Sequence, residues 1–258
     1  MKREAKERIS SYQLFSLLFV SRLSALMISG EVTLMSFFVQ FILSVSLCAL
    51  AYFAAIKVKN TDALVYTLCI ILSVATIYSL ADFKEKAVVE NISDVLSLMS
   101  VIGAVLYTSS LGIQASARFA GMSAIILVTA LSAGILSNVK QISAISISSC
   151  LRFGISPVNI IKCVDIPAIF LKLHNNTNGN IKRPLFYSVA ASYGLCAAVW
   201  AVCALTLRDA AALYAYPVFT LFQLGQFGSY NKLDILFTSP MLIAVFLKLS
   251  IFFQKVKK

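Results

Sequence analysis

Apolar residues recur along this chain in runs of roughly twenty, about the length an α-helix needs to cross the hydrocarbon core of a bilayer. The run from Leu233 to Leu247 is typical: Lys232 and Asp234 stand at its entry and Lys248 at its exit. A helix that is apolar all round requires protein or lipid on every side. Comparable runs occupy 12–28, 32–56, 63–81, 95–111, 119–136 and 184–207, and the last extends over 233–252. A weaker one, over 155–171, is broken by Gly and Pro. A transmembrane β-barrel would instead alternate apolar and polar residues in segments of about ten. The pattern therefore predicts an all-α fold: a polytopic transmembrane helix bundle of about seven or eight spans, forming one integral-membrane domain over 1–258.

Composition agrees. Hydrophobic residues make up 59% of the chain and charged residues 13%, against about 45–50% and 25% in ordinary soluble proteins. The net charge of +11 does not point to nucleic acid, because the Lys and Arg residues lie in termini and short linkers rather than along an amphipathic face. They read as topology determinants beside a negatively charged cytoplasmic leaflet. The charged head 1–9 is expected to stay cytoplasmic. Cys48, Cys69, Cys150, Cys163, Cys196 and Cys203 show no paired spacing and read as small buried hydrophobes. The lone His174 cannot build a metal site, and its polar surroundings predict a solvated side chain. With no phosphate loop, metal-ligand cluster or acid pair in view, no catalytic residue, metal or cofactor is assigned and an enzyme is not expected.

Ser10 or Ser11 is placed to cap the first helix, with Gln13 in its first turn. Arg22 lies near the middle of that segment. A guanidinium there costs about 2.5–3.5 kcal/mol on insertion scales unless it is paired or faces a cavity. It either meets a ligand carboxylate or a structural partner inside the bundle, or snorkels to an interface. Residues 112–118 read as a tight connection, with Arg118 as a cytoplasmic anchor. Between 137 and 173 the pattern degrades around Gly154, Pro157 and Pro167. Proline removes a backbone donor and clashes with the preceding turn, so a broken or re-entrant helix is expected, tolerable only where buried in protein or lining a cavity. Lys162 and Asp165, three residues apart, are candidates for a pair in such a cavity. The Lys/Arg distribution puts both termini in the cytoplasm only if the broken segment crosses, which favours eight spans over seven.

Several stretches resemble the GerAB-like family, the B-subunit permeases of bacterial spore germinant receptors, within the amino acid–polyamine–organocation superfamily. ISSYQLFSLL from Ile9 resembles the family's opening motif, and LGIQASARFAG from Leu111 resembles a second, matching at Gly112, Ile113, Ala117 and Arg118. Gly154 to Pro157 is similar to the Gly-x-x-Pro element of a broken sixth helix. Tyr216-Pro217, Lys232-Leu233-Asp234 and Lys248-Leu249-Ser250 resemble a late pattern in the same order. Family members are longer, and the stretch Arg22 to Met27 lacks the glycines at which their first helix unwinds.

The resemblance implies a LeuT-like inverted repeat, here incomplete, with a ligand site at broken helices one and six. Arg22, Ser24, Ser156 and Asn159 become candidate ligand contacts. Gly112, Arg118, Gly154, Pro157, Pro217, Lys232, Asp234, Lys248 and Ser250 are motif positions. It further implies a multi-pass subunit of the inner cell or spore membrane, sensing a small nutrient such as an amino acid beside another membrane subunit and a lipoprotein. A degenerate, non-transporting scaffold and an amino acid transporter are the alternatives.

Overall fold

In the computed structural model, residues 8–27, 34–57, 62–85, 94–139, 161–207, 210–211, 214–227, 230–231 and 234–254 are described. Their helices are α1 (Ser11–Met27), α2 (Leu34–Lys57), α3 (Asp62–Phe83), α4 (Asp94–Ser110), α5 (Ile113–Asn138), α6 (Asp165–Leu173), α7 (Lys182–Leu207), α8 (Pro217–Leu224) and α9 (Asp234–Phe253). This is an all-α bundle, and the expected runs match the helices to within a few residues except at three places. Of the broken segment, the described residues form α6 and the turn before it; α5 begins at Ile113, ahead of its expected start at 119; and α8 was not anticipated.

Helix α1 is the axis of the bundle. Every residue from Ser16 to Met27 is buried, enclosed by α5, α6, α7 and α9. Its start is a capping box: Gln13 N donates to Ser10 Oγ at 3.2 Å, and Ser10 N donates to Gln13 Oε1 at 2.9 Å. The preceding Ile9–Ser10 (β1) pairs in parallel with Thr177–Asn178 (β2), pinning the start of α1 to the linker between α6 and α7. A second two-residue ladder, Gln226–Phe227 (β3) with Tyr230–Asn231 (β4), follows α8.

The 112–118 connection is shorter than expected. Gly112, with φ 88°, turns the chain alone, and α5 begins at Ile113. A side chain at that φ is strained, so glycine is required. Arg118 thus sits on the second turn of α5, where it is exposed.

The outer helices α2, α3 and α5 expose Ile42, Leu50, Phe53, Ile70, Val74 and Ile125. Together with α7 they are long and apolar enough to cross a membrane, and such a surface fits lipid rather than water. At the end where α1 starts, Gln114 Nε2 donates to Arg8 O at 3.2 Å and Gln254 Nε2 to Ser109 O at 3.5 Å. Lys172 Nζ donates to Phe252 O at 2.7 Å and lies 5.7 Å from the Tyr66 ring, so it satisfies an orphan carbonyl at the end of α9. The starts of α1, α3, α5 and α7 and the ends of α4, α6 and α9 therefore share one end of the bundle. Arg8, Arg118, Lys182 and Arg183 lie there. The opposite end is closed by packing: Tyr216 Oη donates to Asp82 at 2.5 Å, its ring meets Phe83 edge-on, and Asn138 Nδ2 reaches Leu221 O at 3.2 Å.

Candidate functional site

The apolar interior holds two polar clusters side by side. The first is built on Arg22, which is fully buried and does not reach an interface, so the snorkelling alternative is overturned. Its Nη1 donates to the Lys162 carbonyl. Its Nη2 donates to the Tyr193 hydroxyl and to Ser44 Oγ, the latter at 3.3 Å, with Cys163 Sγ at 3.6 Å. Tyr193 Oη in turn donates to Gln40 O at 3.0 Å. One guanidinium thereby joins α1, α2, α7 and the turn that precedes α6. Arg22 Nε and Gln40 Nε2 are buried without a hydrogen-bond partner among the described residues.

The second cluster lies where α6 begins. Ile161 and Lys162 are helical and Cys163 and Val164 turn the chain, with Val164 N donating to Ile161 O at 3.1 Å, and α6 starts among the other helices at Asp165. That start places Asp165 against α9, where Lys248 Nζ donates to Asp165 Oδ2 at 2.6 Å. Lys248 is therefore not an interfacial anchor at the exit of the last span. It is buried, with 2% of its surface exposed. Asp165 pairs with Lys248 and not, as its spacing suggested, with Lys162. The other carboxylate oxygen, Asp165 Oδ1, is buried and has no hydrogen-bond partner among the described residues.

A narrow cleft opens beside this pair, lined by Ser24 of α1, Thr76 and Ser79 of α3, Lys162, Asp165 and Lys248. It has room for about one water-sized group. The hydroxyl hydrogens are already committed to carbonyls one turn back: Ser24 to Ser21 O at 2.9 Å, Thr76 to Leu72 O at 2.7 Å and Ser79 to Ala75 O at 2.9 Å. Ala25, Leu72, Ala75 and Ile161 complete the lining, which is mostly apolar.

Of the expected ligand contacts, Ser24 lines the cleft, and Arg22 stands two residues away with its donors turned into the protein. Ser156, Asn159, Gly154, Pro157 and Lys232 lie outside the described residues, and the Asp234 side chain is likewise not described. Pro217 opens α8 at its first position, where its missing N–H costs nothing. Ser250 is buried and donates to Leu247 O at 2.8 Å. The described cysteines are buried, as expected. His174 is not a free loop residue: it joins a 3₁₀ turn, and its Nδ1 lies 2.8 Å from Leu171 O. Outside the spanning helices, burial and the neighbouring Asp82 carboxylate push the Tyr216 phenol above its ordinary value, so it acts as a donor. Among the described residues, no group of His, Cys, Asp or Glu is arranged to hold a metal.

Sequence reasoning missed Tyr193, Ser44 and Gln40. Their signal was present, since each is a polar group deep within an apolar run, where it needs an internal partner. Compared with family models and with curated proteins, the chain matches none.

Proposed function

We propose that the chain is a permease-like membrane subunit that binds a small nutrient in the cleft between α1, α3, α6 and α9, and that it serves as the membrane-embedded sensor of a germinant-receptor-type complex. The observation that carries the binding reading is the convergence of charged and hydroxyl groups from four elements on one cleft at the start of a half-helix. Ionisable groups inside a membrane bundle are expensive to bury and typically mark ligand or ion pathways, and discontinuous helices are where transporters build their sites. The motif resemblance supplies the receptor setting. Occupancy of the cleft would bias α6 and α9, joined by Asp165–Lys248, between two arrangements.

The shared location of the two described chain ends supports an even number of crossings, eight with the broken segment counted. The basic residues at that end support its facing the cytoplasm. Tags placed at either terminus should be accessible from the same side in intact cells and inverted vesicles; accessibility from opposite sides would exclude eight.

The Asp165–Lys248 pair also favours a second reading, a scaffold in which the charges only lock helices together. Thermal unfolding of the purified chain in lipid nanodiscs, followed through Trp200 across a panel of amino acids and short acids, separates the two. Stabilisation by at least one compound supports the sensor. Flat curves across the panel, with partner subunits still co-purifying, support the scaffold. Accumulation of labelled solute in proteoliposomes would instead show transport.

A further inference from the structure

The end of the bundle at which α1 starts carries a fixed cluster of basic side chains. From Ser16 onward α1 is buried, but in its first turn Tyr12 is 63% exposed. The helix therefore surfaces there, between α5 and the linker that leads into α7. Hydrogen bonds hold both sides in place. Gln114 Nε2 of α5 donates to Arg8 O at 3.2 Å, and Arg8 Nη1 donates to Asn178 Oδ1 at 3.2 Å. Ser11 Oγ lies 3.2 Å from the carbonyl oxygens of Asn178 and Asn180, and Lys182 N donates to Asn180 Oδ1 at 3.0 Å. Arg118 stands one turn beyond Gln114 on α5, and the Tyr12 ring lies within van der Waals reach of Gly121 on the same helix. Arg8, Arg118, Lys182 and Arg183 are all exposed and make no ion pair among the described residues. The acidic side chains that are described lie elsewhere: Asp82 and Glu85 at the far end of α3, and Asp165 in the interior.

We infer that this surface is a headgroup site for an anionic phospholipid, with the phosphodiester held by Arg8, Arg118 and Lys182 and the acyl chains lying along α5. Guanidinium forks match phosphate oxygens in geometry as well as charge, and here they come from two elements bonded to each other through Gln114. Next to the basic groups the surface turns apolar, with Met122 and Ile125 of α5 exposed. Tyr12 and Tyr187, both exposed, are the amphipathic rings that settle at headgroup level. A soluble acidic peptide would meet the same charges but gain nothing from an apolar face at membrane depth. The cluster thus does more than orient the chain. Topology depends on the number of basic residues in a loop, whereas these are set on three elements at fixed positions. A bound headgroup would tie the start of α1, the helix that carries Arg22, to α5 and α7.

The test reads lipid retention and stability on the full chain. Native mass spectrometry from mixed micelles of phosphatidylglycerol and phosphatidylcholine counts the lipids that stay bound. Thermal unfolding is followed through Trp200 in nanodiscs with and without phosphatidylglycerol. Phosphatidylglycerol should be retained in preference to phosphatidylcholine and should raise Tm by a few degrees. Arg118→Gln and Lys182→Gln should each weaken that retention about fivefold, the double variant more than either, and neither should lower Tm in pure phosphatidylcholine. Lys57→Gln, an equal loss of charge at the exposed end of α2, should leave retention unchanged. Equal retention of the two lipids overturns the inference. So does a loss with Lys57→Gln as large as with Arg118→Gln, which reduces the cluster to diffuse attraction. Glycerol phosphate that displaces the lipid at matching concentration overturns the acyl contact and leaves a site for free phosphate. A poly-Glu peptide bound through Arg118 in preference to phosphatidylglycerol makes the surface a protein contact and overturns the lipid assignment. The cleft is tested separately by the amino acid panel, so either reading can fail alone.

Discussion

Arg22 and Lys162 are both cations buried at the centre of a membrane bundle, and they touch through one hydrogen bond, yet their surroundings are opposite. Arg22 is planar, with donors spread over a fork, and α2, α7 and the pre-α6 turn supply acceptors for it. Lys162 offers a compact ammonium and lines the narrow cleft, where it makes no ion pair among the described residues. The contrast separates a saturated charge, which joins helices, from one without an ion-pair partner among the described residues. Arg is suited to the first task because its geometry meets several acceptors at once.

Substitutions can break this comparison. The largest effect is expected for Asp165→Asn, which strips Lys248 of its partner and leaves buried cations uncompensated, a loss of about 3–5 kcal/mol. Thermal unfolding in nanodiscs should show it, and the Asp165→Asn/Lys248→Met double variant should recover most of the loss. Next is Arg22→Lys, which abandons acceptors on Tyr193, Ser44 or Lys162 and should cost about 2 kcal/mol. Ser10→Ala removes the α1 cap far from both cations and should cost about 1 kcal/mol without changing any ligand response. The smallest effect is expected for Lys162→Gln, which removes an uncompensated buried charge; its Tm without ligand should stay level or rise. If Lys162→Gln instead unfolds the protein as readily as Arg22→Lys, Lys162 is structural and the contrast fails.

Packing at the opposite end gives an independent control. A Cβ at Gly134 would collide with the Phe222 ring, which is packed against Phe237 at 4.7 Å. Gly134→Ala should therefore destabilise the bundle through overpacking by about 1–3 kcal/mol, read as a lower Tm, and leave any ligand response intact.

Much of the fold was legible along the chain because bilayer-length apolar runs leave the backbone few ways to satisfy its hydrogen bonds other than by forming helices. The Ser10–Gln13 cap was legible for a similar reason: it is a local device with a fixed spacing. Arg22 could be singled out because an arginine inside such a run must have an internal explanation. Which explanation held was not local. Ser44, Lys162 and Tyr193 come from distant segments, and nothing in their spacing pairs them with residue 22.

The same division runs through the cleft. Composition and periodicity by themselves determined a helical bundle with a broken segment near 155–171 and marked Asp165, Lys162 and Lys248 as charges in an apolar context. Only the tertiary structure decided that Asp165 answers Lys248 across 83 residues of sequence while Lys162, three positions away, lines the cleft without an ion pair among the described residues. The physical reason is that burial makes a charge costly wherever it lies, which a sequence reveals. Compensation depends on which helix faces it at that depth, and packing alone settles that.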